Sequence, residues 1–137
     1  MNELQSLERI IVLRAADAIE KISMNKEELL QPYKQILLKF LDGAKNKELK
    51  WHIAQLIPRL HLSKSETEKA FDKLRQWAMD NKESRIVRVN SIQALFEFCC
   101  LFSQFKPSFE LILKELDNKN IPSITARIKI LRKQNSF

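Results

Sequence analysis

The chain has 137 residues, 45% of them hydrophobic, and a formal charge of +7. That length suits one domain with a substantial core, and that composition excludes a disordered chain. One glycine and four prolines exclude a turn-rich β fold and suit helices joined by short polar loops.

From Leu4 the apolar residues step by three and four through Leu7, Ile11, Ala15, Ala18 and Ile22. This is the stripe of an amphipathic helix ending near Met24. Asn2 or Ser6 suits its N-cap, and Asn25 with Glu28 forms a capping-box pattern for the next element. Pro32 is tolerated only in a first turn. The second helix is therefore expected to start near Gln31, run to Phe40 and stop at Asp42-Gly43, the glycine taking the left-handed closing conformation. Asn46 caps a third helix from Lys47 to about Leu62, kinked at Pro58. Ser65 with Glu68 reads as a capping box for a fourth, which carries Ala70, Phe71, Leu74, Trp77 and Ala78 and ends at Asp80-Asn81. A fifth helix runs from about Ser84 to Phe102, and a sixth from Pro107 to Leu116, ending at Asp117-Asn118. The last starts at Pro122 or Ser123 with Ile124, Ile128 and Leu131 as its stripe.

A spacing of 38 residues runs through these helices. Tyr33, Phe71 and Phe109 keep it, as do Ile36, Leu74 and Ile112, and Phe40, Ala78 and Leu116. So do Ile11, Leu49 and Val87; Ala18, Leu56 and Ala94; Ile19, Ile57 and Leu95; and Ile22, Leu60 and Phe98. A fixed period of this size is the mark of stacked two-helix units. The expected architecture is a single all-α domain, an α-solenoid. Three antiparallel helix pairs, at about 2–43, 44–81 and 82–119, are followed by a capping helix at 122–134. That last helix falls one residue short of the register.

The charge is uneven. No acid follows Asp117, while Lys119, Arg127, Lys129, Arg132 and Lys133 do, so residues 1–117 carry only two of the seven net charges. No apolar run approaches membrane-spanning length, and Met1–Glu8 lacks the cationic start of a signal peptide. Cys99 and Cys100 are adjacent and cannot form a disulfide framework, so a reducing cytoplasm is the expected location.

Val87, Arg88, Ser91, Ala94 and Leu95 resemble the first-helix pattern of the HEAT-repeat family of α-solenoids: Val-Arg, then Ala, then Ala-Leu. The first unit reads Ile11, Val12, Ala15, Ala18 and Ile19, without the arginine, and the second Leu49, Lys50, Ile53, Leu56 and Ile57, with lysine in its place. Asp42 and Asp80 fall in loops where the family favours aspartate, and Pro32 and Pro107 near starts of second helices. The segment from Arg85 to Leu95 also resembles small bacterial HEAT-repeat proteins without assigned function. The resemblance implies fold more than function, because such repeats serve scaffolds, adaptors and a few enzymes. It also implies that second helices line a concave face, which would make Lys34, Lys73 and Trp77 groove residues.

Four sets of side chains are candidates. Arg127, Lys129, Arg132 and Lys133 on the last helix suit phosphates or acidic partners, or else form the solvated cap that a terminal repeat requires. Lys47 with Arg85 and Lys50 with Arg88 align on one loop edge, but Asp42, Glu48, Asp80 and Glu83 nearly neutralise them. Trp51 and Trp77 are either partner anchors or core. Of His52, His61, Cys99 and Cys100, His61 and Cys99 share a phase in adjacent repeats, but two ligands without a second pair do not make a zinc site, and the pair lacks the third group of a nucleophilic triad. No glycine-rich phosphate loop, His-Glu-x-x-His or Gly-x-Ser-x-Gly occurs. Trp77 with Asp72 or Asp80 is the sole echo of HEAT-like DNA glycosylases. The expectation is a non-enzymatic protein-binding module or scaffold without cofactor or metal, a monomer or weak dimer, with Lys34, Lys73, Trp77, Arg127, Arg132 and Lys133 in contact with a protein partner. The alternative is a nucleic-acid-binding protein using Lys50, Arg88, Arg127, Lys129, Arg132 and Lys133.

Overall fold

The computed structural model describes Ile10, Ile11, Arg14 and residues 27–134. These form six α-helices: α1 (Lys34–Gly43), α2 (Lys47–Leu56), α3 (Lys64–Met79), α4 (Arg85–Leu101), α5 (Lys106–Asp117) and α6 (Pro122–Gln134). Three 3₁₀ segments, Glu27–Tyr33, Ile57–Arg59 and Ser103–Phe105, join them. The described residues contain no strand, and no helix among them is long and apolar enough to cross a membrane. Ile10, Ile11 and Arg14 are helical, and Ile11 packs on the core. The rest of the helix expected from Leu4 to Met24, with the Asn25 cap, lies outside the described residues.

Each boundary has a local cause. Asn46 accepts from the backbone N–H groups of Glu48 and Leu49 and starts α2. Pro58 lacks an N–H, and the α-helix ends at Leu56 in a 3₁₀ turn rather than continuing kinked to Leu62. The capping box of α3 is Ser63 with Glu66, not Ser65 with Glu68. Ser63 Oγ accepts from the Glu66 N–H at 3.2 Å, and the Ser63 N–H donates to Glu66 Oε1 at 2.8 Å. Ser84 caps α4 through the Val87 N–H. Gly43 does not close α1 in the left-handed region. It is the last helical residue, and the extended Ala44 ends the helix. Asn120, at φ 52°, makes the left-handed turn before α6 that asparagine tolerates.

Helices pack on neighbours two places along the chain: α1 on α3, α3 on α5, α2 on α4 and α4 on α6. Sequential contacts also join α1 to α2, α3 to α4, α4 to α5, and α5 to α6. The 38-residue spacing marks the core in the second and third units, where Leu49, Leu56, Ile57, Leu60, Phe71, Leu74 and Ala78 are buried with Val87, Ala94, Leu95, Phe98, Phe109, Ile112 and Leu116. In the first unit it holds at Phe40, and Ile11 packs on the core, but it fails at Tyr33 and Ile36. These are 55% and 39% exposed, and Leu30, Leu37 and Leu41 face inward. The cause is the winding of Glu27–Tyr33. A 3₁₀ segment turns about 120° per residue against about 100° in an α-helix, so it delivers a shifted face to α1. Pro32 sits inside that segment rather than opening the α-helix.

The position of the α3 cap is testable by two alanine variants. Ser63→Ala should cost about 1 kcal/mol in denaturant unfolding, whereas Ser65→Ala should stay within about 0.5 kcal/mol of the parent. The reverse order would restore the cap to Ser65.

Candidate functional site

The strongest polar cluster is structural. Gln31 reaches across to the chain between Arg59 and His61: its Nε2 donates to Arg59 O at 3.3 Å, and its Oε1 accepts from the His61 N–H at 2.9 Å. Lys34 Nζ donates to His61 O at 3.0 Å and pairs with Glu66 Oε1 at 2.6 Å. Lys34 thus spans two units and is held by Glu66 and His61. Its hydrogen bond, then the one from the Ser63 N–H, holds the Glu66 carboxyl at about 2.

The loop edge is also committed inward. Lys50 pairs with Glu83, both largely covered, and its ammonium stands 5.4 Å from the centroid of the Trp77 ring. Trp77 is only 4% exposed. That burial makes Trp77 core, the second of its two readings, and takes it away from a groove surface. Arg88 is 3% exposed, which removes it from any polyanion surface. Its Nε donates to Ala78 O at 2.9 Å, one of the carbonyls left without a partner at the end of α3. Burial lowers the Arg88 pKa, Arg85 adds to this, and Asp80 opposes it. Asp80 accepts from the Lys82 N–H; no ion pair joins it to Arg88 among the described residues.

The basic last helix is partly committed. Arg127 donates to Gln93 Oε1 at 3.3 Å, and Arg132 pairs with Glu110 at 3.0 Å. Lys129 and Lys133 are exposed, and Lys73 on α3 is half-buried. Asp72, next to it, is held below the usual carboxylate range chiefly by Arg75.

The histidines and cysteines do not converge. His61 is exposed, with Glu28 3.9 Å away. His52 is buried, its ring stacked at 3.8 Å on half-buried Trp51, and burial lowers its pKa. Burial pushes the Cys99 thiol up to about 12, far from a reactive thiolate. Among the described residues no three His, Cys, Asp or Glu side chains gather as for a metal.

Sequence reasoning missed an aromatic cluster with an exposed rim. Phe71 stacks on Phe105 at 4.4 Å, and Phe98 and Phe102 approach the same ring at 6.4 and 6.3 Å. Beside it, where α4 ends, Leu101 is 61% and Phe102 37% exposed. The signal was present: the ten residues from Phe96 to Phe105 hold four of the eight phenylalanines, more than one helix face can bury.

The Lys34–Glu66 pair gives a pH signature. The folded Glu66 pKa lies below its ordinary 4.5, so its contribution is complete above about 4.5 and is lost as the pH falls toward about 2. Lys34→Met should flatten the stability loss over that window in acid titrations followed by circular dichroism. An unchanged profile would remove the pair from the account.

No protein-family model, curated protein or solved structure matches this chain.

Proposed function

We propose that this chain is a non-catalytic protein-binding module of the cytoplasm, an α-solenoid of the HEAT type that binds its partner at the Leu101–Phe102 rim. The alternating contacts of α1 with α3 and α3 with α5, and of α2 with α4 and α4 with α6, support the solenoid reading. The rim carries the functional one. Two large apolar side chains stand in solvent on a base of packed phenylalanine rings. Apolar groups already held rigid lose little entropy on binding, and aromatic anchors of this kind dominate interface energetics.

Of the earlier partner-contact residues, Lys34 pairs with Glu66 at the half-covered surface, Trp77 lies in the core and Arg132 pairs with Glu110. The nucleic-acid alternative loses Lys50 and Arg88 in the same way. Lys129 and Lys133 are its remaining uncommitted cations. Each phosphate contact contributes about 0.9 to the slope of log affinity against log salt, so two lysines support a slope no steeper than about 2.

A photo-crosslinking residue at Leu101 should yield discrete protein adducts in the native cell. Leu101→Ala with Phe102→Ala should weaken binding of the captured partner at least about tenfold, near 1.4 kcal/mol. Lys129→Glu with Lys133→Glu should leave that binding intact. Adducts with nucleic acid in place of protein, or an unaffected double variant, would overturn the assignment.

A further inference from the structure

We infer that the segment bound at the Leu101–Phe102 rim is basic: it sets a lysine or arginine on Glu97 while an apolar side chain covers Leu101. The inference rests on the rim reading and adds to it the chemistry of the occupant.

Glu97 and Leu101 belong to one surface. They lie four residues apart on α4, so they stand on the same face, about 6 Å apart along the axis. Asn90 and Gln93 continue that stripe toward the start of the helix, and all four side chains are half-buried or exposed. α2 and α6 both pack on α4, and one side chain from each crosses onto the stripe. Gln55 Nε2 donates to Asn90 Oδ1 at 3.2 Å, and Arg127 donates to Gln93 Oε1 at 3.3 Å.

The crossing stops short of Glu97. Among the described residues no ion pair or hydrogen bond engages its carboxylate. Arg59, 38 residues earlier, is the one charged group felt there, and it stands beyond the ion-pair distance. Burial raises the Glu97 pKa, and Arg59 offsets this only in part. A half-covered carboxylate without a donor has lost water and gained nothing in return. It therefore gains more from a cation brought by a partner than a fully exposed acid would.

The other nearby cations do not fill the position. Arg127 is held by Gln93, one turn away. Lys106, five residues beyond Leu101, is felt at Cys99, half a turn round α4 from Glu97. An unpaired acid one turn from an exposed apolar side chain favours a segment carrying a cation and rejects one carrying an acid.

A phage-displayed library of random peptides, panned on the full chain, tests this. Enriched peptides should carry lysine or arginine within about four residues of an apolar side chain. Panning on Glu97→Lys should enrich aspartate or glutamate there instead. A labelled peptide from the first selection should bind Glu97→Gln at least about tenfold more weakly than the parent. Arg59→Gln should bind it no more weakly, because Arg59 competes for the same carboxylate. Glu97→Gln should melt at or above the parent's midpoint, because it removes a desolvated charge. Leu101→Ala with Phe102→Ala separates this inference from the rim reading. If that double variant loses the peptide while Glu97→Gln keeps it, the rim stands and the basic occupant is overturned. If both keep it, both readings fall. The inference is also overturned by peptides without a charge preference, by no enrichment, or by enrichment of acids on the parent. A lowered midpoint for Glu97→Gln overturns it as well, since the carboxylate would then be tied into the fold.

Discussion

The structure depends on α4 being covered from several sides. Val87, Arg88, Ser91, Ile92, Ala94, Leu95, Phe96, Phe98 and Cys99 are all buried on this one helix, α2, α3, α5 and α6 all pack against it, and only the stripe through Ile86, Asn90, Gln93, Glu97 and Leu101 stays open or half-open. A helix covered to that extent takes most of its stability from its neighbours rather than from its own turns. Its four neighbours therefore form one cooperative unit with it. The small residues Ser91 and Ala94 make this possible: both are fully covered, and short side chains let helix axes approach closely. Bulk is supplied instead at the end of α4, where Phe98 and Phe105 gather the rings that tie α3 and α5 together.

Five cations in this molecule are placed by connection rather than display. Lys34, Lys50, Arg88, Arg127 and Arg132 each bind an atom from another element. Arg88 shows the cost of such placement. Its guanidinium is buried, one carbonyl satisfies Nε, and Nη2 has no partner, so desolvation opposes the charge that the α3 terminus attracts. Half-covered pairs such as Lys34–Glu66 cost less to desolvate and also fix the direction in which the chain leaves the Ile57–Arg59 turn.

What the sequence made legible follows from the range over which each signal acts. Helix periodicity, the cap at Asn46 and the start of α4 near Ser84 are local, and they agree with the structure. The cap of α3 was ambiguous because Ser63-Glu66 and Ser65-Glu68 both fit the capping pattern. The choice falls to Ser63, which puts Glu66 where Lys34, from another unit, reaches it. Tyr33 was misread because the register assumes α-helical winding, and Glu27–Tyr33 winds as 3₁₀. Lys50 and Arg88 were misread because Glu83 lies 33 residues from Lys50, and Ala78 meets Arg88 only after the chain has reversed. Periodicity cannot report a partner supplied by a turn. The Leu101–Phe102 rim could have been suspected from phenylalanine density alone, since one helical face holds only part of that run.

The polarity of the molecule follows from a rule that acts on single helices. Acids are favoured where a helix begins and cations where it ends, because unpaired N–H and C=O groups leave partial charges there. Glu27 and Glu28 begin the first fully described element, and Arg132 and Lys133 lie in the last turn of α6. Between these ends, residues 34–117 hold fifteen cations and eleven acids, a net +4, and some of them pair within the fold. The net charge thus runs from −2 over residues 1–33 through +4 to +5 after Asp117. The basic excess that composition reports is graded along the chain rather than uniform. A field of that form orients an encounter with an oppositely charged surface before any apolar contact is made.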